Sequence, residues 1–351
     1  MKIAFLSFYS GTVYRGVETF VHELSNKLVN LGHEVIVYQG GKKLYGSNYK
    51  TITIPVYWDI AKKRSYISFL NYHAILVKKF TNLVLSQMES DVDVIFPTNG
   101  QWQSVLCSIW TKSNHKKMII SGQSGPGFDD RINIWTFPDV FIGLTGFQRD
   151  WAKRVNPFVK NAKIPNGVDL DKFKPRIKSN FFNLSKPIIL SVSALVPWKR
   201  QELIIQAVSK LNIGSLVLVG KGEEEQKLSK LGNQLLPRRF KIVSFDYHEM
   251  PKVYFQADLF TFSTVSWESF GIVLVEAMAS GLPVVATDDP IRREIVGEAG
   301  LFVDPTDTKK YSETLEQALK INWGDKPRKQ AEKFSWDKIA KQYEDICINN
   351  Y

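Results

Sequence analysis

Cysteine is scarce in this chain: Cys107 and Cys347 stand alone in 351 residues, too few for a disulfide framework and without metal-ligand spacing. Long apolar runs are missing too, and none reaches the roughly 18 residues of a membrane-spanning helix. The opening segment, 1–9, is too short for a signal-peptide core and has no small-residue cleavage site, so it reads as a first buried strand. A cytoplasmic protein is the expectation. Neither internal repeats nor low-complexity tracts occur. Glycines never fall in the G-x-G-x-x-G spacing of a dinucleotide fingerprint. The loop Gly220-Lys221-Gly222 runs into Glu223, Glu224 and Glu225, which occupy the favourable end of the following helix dipole and would repel a phosphate. A bound nicotinamide cofactor is therefore excluded there.

What the chain does have is basic charge and apolar mass. Apolar residues make up 44% of it, enough for substantial cores, and the length favours two domains. The net charge is +11, and residues 1–165 carry most of it, with 20 Lys and Arg against 11 Asp and Glu. Local clusters are Lys42-Lys43, Lys62-Lys63-Arg64, Lys78-Lys79 and Lys116-Lys117. An anionic partner is expected on that side, whether phospholipid, acidic glycan or lipid-linked phosphate. Nucleic acid is not expected, because no nucleic-acid-binding module is present.

Short β-like runs alternate with helical ones, as in a parallel sheet wound with helices. Strands are expected at 3–8, 34–38, 51–56, 93–96, 117–121 and 140–144, with helices at 19–31 and 65–89. Residues 165–186 read as a linker. The rhythm then restarts, with strands at 188–192, 215–219, 241–245, 259–262 and 283–287 and helices at 201–210, 223–232 and 250–256. A last helix is expected at 336–348.

One segment concentrates the chemistry. Between Glu268 and Pro283 the residues from Gly271 to Ala279 are Gly, Ala, Met or large aliphatics except for Glu276, which predicts a helix buried on most sides and closed by Gly281. A carboxylate there needs a partner, since bare burial costs several kcal/mol. It either caps a neighbouring element or meets a ligand. Phe270, Gly271 and Ile272 open the helix, so unpaired backbone N–H groups sit beside Glu268 and about two turns below Glu276. Such an end attracts phosphate, and a nearby carboxylate suits ribose or sugar hydroxyls.

Glu268 and Glu276 have the E-x7-E spacing, and the stretch resembles that of the retaining glycosyltransferases of family 4. Arg15-Gly16-Val17-Glu18, Gly32-His33-Glu34-Val35, Pro165-Asn166-Gly167-Val168-Asp169, Leu195-Val196-Pro197-Trp198-Lys199 and Ser335-Trp336 are similar to other parts of that family's pattern. The resemblance implies an α/β fold of GT-B type, two Rossmann-like doubly wound domains facing across a cleft. The domains would be 1–165 and 187–334, with a linker at 166–186 and a C-terminal helix, 335–351, crossing back to the first. It also implies transfer of a sugar from a nucleotide diphosphate sugar to a hydroxyl with retention of configuration, in cell-surface glycan or glycolipid synthesis. Such an enzyme would be cytoplasmic, either free or peripheral on the inner face of the plasma membrane, bound to that membrane's anionic surface. The implied acceptor is a glycan or a lipid-linked molecule.

By the same resemblance, Glu276 holds ribose, while Glu268 and the backbone of Phe270, Gly271, Ile272 and Val273 position the sugar and its phosphate. Lys199 neutralises the departing diphosphate, against the alternative of a solvated loop lysine. Gly16 lets backbone approach the diphosphate, against that of a plain turn. Lys221 lies near the base. No metal or other cofactor is expected, with Lys199 and helix ends supplying positive charge.

Two positions depart from the pattern. Relatives often carry arginine where this chain has Ala194, and Arg200 is a candidate substitute. Relatives often place a histidine where none of His22, His33, His73, His115 and His248 falls, and Gln123 is the candidate occupant. Glutamine bonds a hydroxyl but moves no proton at neutral pH. Asp129 and Asp130, with Arg131, are candidates for acceptor hydroxyls or for a loop salt bridge. The stretch 58–89 interleaves Lys62, Lys63, Arg64, Lys78 and Lys79 with Tyr66, Phe69, Tyr72 and Phe80. It is either a core-facing helix with a basic edge or a membrane-surface patch. Ala194 and the missing histidine also leave open a nucleotide-sugar-binding protein without transferase activity.

Overall fold

The computed structural model describes residues 1–13, 15–57, 69–175 and 181–349. Two compact units form, one from Met1–Asn166 with the segment from Trp336 onward, the other from Gly167–Ser335.

The first unit is built on strands β1 (Lys2–Ser7), β2 (Glu34–Gln39), β3 (Lys50–Thr53), β4 (Val94–Pro97), β5 (Lys117–Ser121), β6 (Val140–Gly143) and β7 (Lys160–Lys163). All pair in parallel in the order β3-β2-β1-β4-β5-β6-β7, with Ile3 opposite both Val35 and Val94. Strand β1 is buried along its whole length, as a central parallel strand covered on both faces must be. Phe8, Val77, Phe80, Ile95, Ile120 and Phe141 share one core. The helix Gly16–Asn30 puts Phe20, Leu24 and Leu28 inside.

The Trp336–Ile348 helix completes this unit. Trp336, Ile339, Ala340, Tyr343 and Ile346 are buried, and the Tyr343 ring lies 5.7 Å from that of Phe20. The Tyr343 hydroxyl meets Ser121 Oγ at 2.9 Å, and His33 Nε2 lies 2.8 Å from Glu344 Oε1.

The second unit repeats the plan with β8 (Ile188–Val192), β9 (Ser215–Val219), β10 (Phe240–Val243), β11 (Leu259–Phe262), β12 (Val284–Thr287) and β13 (Gly300–Val303). They are parallel in the order β10-β9-β8-β11-β12-β13. In each sheet the chain starts at the centre, winds to one edge, then returns to the other. That is the doubly wound Rossmann order, whose crevice opens beyond the carboxyl ends of the two strands where the winding reverses. Those strands are β1 and β4 in the first unit, and β8 and β11 in the second.

Several expectations need adjustment. The helix expected at 65–89 runs from Tyr72 to Ser86, started by Asn71, whose side chain accepts from the Ala74 N–H. Glu89 lies past its end and pairs with Lys2 and Lys50. Phe80 is fully buried against Phe8, while Phe69 packs on Trp102, whose ring centre also lies 4.3 Å from Lys78 Nζ. Among the described residues, this stretch therefore turns part of its aromatic surface inward; Lys62, Lys63, Arg64 and Tyr66 lie outside them. Residues 167–175, read as linker, belong to the second unit: the Val168 N–H donates to Phe334 O, and Arg328 donates to the carbonyls of Leu170 and Phe173. No helix among the described residues is long and apolar enough to cross a membrane.

Candidate functional site

In the second unit the reversal point sets β8 beside β11, so their carboxyl-end loops are neighbours. After β8 the chain makes a tight turn, Pro197–Lys199, and Arg200 enters the next helix in the left-handed region at φ 52°. After β11 it runs through Ser263–Ser269 to the Ile272–Ala279 helix. Side chains stitch the two loops together. Ser263 Oγ donates to the carbonyls of Lys199 and Arg200, and Thr264 Oγ1 donates to that of Trp198. The Thr264 N–H donates to Thr287 Oγ1 at the end of β12.

This stitching brings Lys199 Nζ to 2.8 Å from Glu268 Oε2 and 5.1 Å from the centre of the Phe262 ring. Both charged groups keep some exposure, 13% for Lys199 and 19% for Glu268. Three residues on, Gly271 takes φ 77°, a left-handed conformation that favours glycine, and turns the chain into the helix. Among the described residues, no side chain caps that helix start. Gly271, Ile272 and Val273 stay partly exposed. Phe270 does not: it is buried, its ring 5.8 Å from Phe334, so only its backbone can serve a ligand.

One turn further, Glu276 is buried, at 4% exposure, and Tyr254 Oη donates to its Oε2 at 2.7 Å. A hydroxyl on a carboxylate is a strong, charge-assisted bond that offsets part of the desolvation cost. Burial, together with the neighbouring carboxylate, pushes the Tyr254 phenol well above its ordinary range, so it stays a donor. Phe173 and Phe260 wall in the Tyr254 ring.

The Gly220–Gly222 loop follows β9, next to β8. A Cβ at Gly220 would meet Ser193 O at 2.0 Å, and one at Gly222 would meet Leu195 O at 2.2 Å. Both glycines thus serve close backbone approach within the protein. Lys221 is exposed, and its carbonyl accepts from the Leu195 N–H, which sets the lysine beside the β8 loop. Arg200 adds positive charge near Asp304, whose carboxyl is held low mainly by Thr306. Ala194 is exposed.

In the first unit, Gly16 opens its helix, and a Cβ there would meet nothing within 4 Å, so packing does not demand the glycine. Gln123 is engaged: its Nε2 donates to Ser121 Oγ and Asn166 Oδ1, and its Oε1 accepts from Asn166 Nδ2. With both amide hydrogens used, one lone pair is left for a hydroxyl. Asp129 and Asp130 lie in the helix Phe128–Trp135, not in a loop. Asp129 accepts from Gln101, whereas Asp130 is buried and accepts from Asn133 and Gln148, out of an acceptor's reach.

Burial pushes the Asp130 carboxyl up to about 7, against the hydrogen bond from Asn133 and with a smaller push from Asp129. The folded chain then holds this proton where an unfolded aspartate, with its pKa of about 4, has lost it. Stability falls as pH rises through that window. The expected result is a melting temperature for wild type that drops, relative to Asp130→Asn, between about pH 4 and pH 7. A constant difference across that range contradicts it.

Two Asp-x-Asp spacings occur, Asp91/Asp93 and Asp169/Asp171. Asp91 Oδ2 lies 3.0 Å from Lys2 Nζ and Asp93 accepts from the Lys2 N–H, while Asp169 Oδ1 accepts from the N–H groups of Asp171 and Lys172. Both pairs thus serve structural bonds.

Spacing rules missed Tyr254, 22 residues from Glu276, and Arg292, taken up below. The Asp289-Pro290 start of the latter's helix was readable as a capping residue followed by proline.

Residues 172–335 match the family described as glycosyl transferases group 1. The phosphatidyl-myo-inositol mannosyltransferase of Mycobacterium leprae is 32% identical over 166 residues, covering 45% of this chain and 44% of that protein. The protein of the same name from Mycolicibacterium smegmatis is 24% identical over 97% of this chain and 92% of its own. Against the M. leprae protein and the next three curated relatives, the chain spans about half of their length or less, 36% to 50%. Among solved structures, Anabaena HepE in complex with UDP and glucose superposes with a TM-score of 0.80 at 18% identity over 99% of both chains. A sucrose-phosphate synthase from Thermosynechococcus elongatus gives 0.79 at 18% over 98% of both. These likenesses make the fold GT-B. Residues 172–335 are thus similar to the glycosyl transferases group 1 family.

Proposed function

We propose that the protein transfers a sugar from a nucleoside diphosphate sugar to an acceptor hydroxyl with retention of configuration, in making a cell-surface glycan or glycolipid. One observation carries the reading: Lys199 and Glu268 meet 2.8 Å apart at the reversal point of the second sheet, just ahead of a helix start with no side-chain cap among the described residues. The diphosphate would take the backbone N–H groups of Gly271 to Val273 and the ammonium of Lys199. Glu268 would orient the sugar, and Glu276 the ribose hydroxyls. Lys221 would flank the base. In the transfer step the bond from the anomeric carbon to the phosphate oxygen breaks while the acceptor oxygen bonds on the same face. The acceptor's proton passes to the departing phosphate, so no protein base is required.

The glycolipid side of the proposal rests on relatives named as phosphatidyl-myo-inositol mannosyltransferases. With the first unit's basic excess, it favours an acceptor at an anionic membrane surface on the cytoplasmic side. Lys199 and the helix start supply the positive charge that a metal gives elsewhere, so we propose that turnover needs no metal. Nucleoside diphosphate release from a panel of UDP- and GDP-sugars with a lipid acceptor should persist after EDTA treatment. Loss of release restored by a divalent ion overturns the metal part of the proposal.

A second reading is a nucleotide-sugar-binding protein without transferase activity. The exposed Ala194 and the engaged amide of Gln123 favour it. Binding of a sugar nucleotide with neither transfer nor hydrolysis selects that reading.

A further inference from the structure

The loop that carries Glu268 is held from behind by a buried guanidinium. Arg292 lies in the Pro290–Val296 helix at 0% exposure. Its Nε donates to Asp289 Oδ2 at 2.8 Å. One terminal nitrogen donates to the carbonyls of Glu268, at 2.8 Å, and Ser269, at 3.5 Å; the other to those of Ser266, at 3.2 Å, and Val265, at 3.4 Å. One planar fork thus reaches four carbonyls of a single five-residue loop. Asp289 is fixed in turn, since its Oδ1 accepts from the N–H groups of Ile291 and Arg292, both at 3.0 Å.

A buried ion pair is an expensive way to fill space, because well-packed apolar side chains of similar volume often stabilise as well or better. What the fork supplies and an apolar side chain cannot is a fixed set of carbonyl positions. The loop's root is already tied through Ser263 and Thr264 to the Lys199 turn and to β12. Arg292 fixes the remainder, including the peptide from which the Glu268 side chain leaves. It has no bond of this kind to Gly271, Ile272, Val273 or Glu276 among the described residues.

We propose that Arg292, oriented by Asp289, is a positioning residue that sets where the Glu268 carboxylate meets the sugar of the donor, and leaves the nucleotide's own contacts untouched. The inference rests on the transferase reading and adds to it a division of labour. The helix and Glu276 read the nucleotide, while the Arg292-held loop reads the sugar.

The test uses Arg292→Lys in the full chain. Lysine keeps the charge and the partner Asp289, but its three donors radiate from one atom and cannot match four carbonyls in a plane. Calorimetry would measure binding of bare UDP and GDP and of UDP- and GDP-sugars, beside steady-state transfer. The expected result is sugar-nucleotide binding weakened about tenfold with the bare nucleoside diphosphate within about twofold of wild type. A fall in kcat of about 100-fold should accompany it, the scale of a misplaced reacting group. Should Arg292→Lys not fold, Asp289→Asn is read in the same assay. It keeps an oxygen for the helix cap and places an amide opposite the guanidinium. Equal weakening of both ligands, or of neither, with wild type binding normally, overturns this inference alone. A wild type that binds no nucleoside diphosphate overturns the transferase reading and this inference with it.

Discussion

Lys199→Ala should lower kcat by about 100- to 1000-fold, the scale measured when a preorganised donor to developing negative charge is removed. The root of Lys199 does not move freely, because its carbonyl accepts from Ser263 Oγ and its ammonium is held by Glu268. It therefore meets a departing diphosphate without reorganising. Were the pair only a surface ion pair, the substitution would cost roughly 0–1 kcal/mol of stability and leave kcat alone. Steady-state turnover and a melting curve on the same sample separate the two. Unchanged kcat with a lowered melting temperature would reject the role given to Lys199.

Glu276→Ala should weaken nucleoside diphosphate binding by about 10- to 100-fold, the value of hydrogen bonds to a charged group. The substitution also strands the Tyr254 hydroxyl, which is buried and bonded to Glu276 Oε2. Leaving such a donor unpaired costs about 1–3 kcal/mol, so a stability loss accompanies the binding loss and confuses it. Tyr254→Phe in the same chain removes the stranded group. The double variant should regain stability while binding stays weak, a non-additive pair of the kind expected for residues in contact. Calorimetric titration with UDP and GDP reads the binding, and recovery of affinity in the double variant would refute the contact between Glu276 and ribose.

The legible parts of this chain were those with a strong period or a strong mismatch. Strands β8 and β9, apolar but for one serine each, and the single carboxylate in an apolar helix stand out in one dimension. The edge strand β7, Lys-Asn-Ala-Lys, does not. It has no apolar period and is a strand only through its register with β6. The helix Trp102–Ser113 has no legible apolar face because its buried residues are largely Gln103, Ser104, Cys107, Ser108 and Thr111; Thr111 bonds back to Cys107, while Gln103, Ser104 and Ser108 bond to Thr98, Asn133 and Thr136 outside the helix. At the site, Glu268 and Glu276 were found by spacing. Tyr254 and Arg292 act through contacts 22 and 24 residues away in sequence. Asp130 looked available because a charged residue near a glycine-rich turn usually is; the helix it belongs to turns it inward, onto Gln148.

The bridge between Val168 and Ser335 means that the second unit begins and ends at one spot. It is an insertion in a chain that must afterwards supply Trp336 and Tyr343 to finish what residues 1–166 began. During synthesis the inserted unit can close as soon as its own last strand and helices emerge, while its host waits for the Trp336–Ile348 helix. Removing the Trp336–Ile348 helix would therefore damage the half that was made first, and synthesis halted before Trp336 would leave a finished insert on an open scaffold.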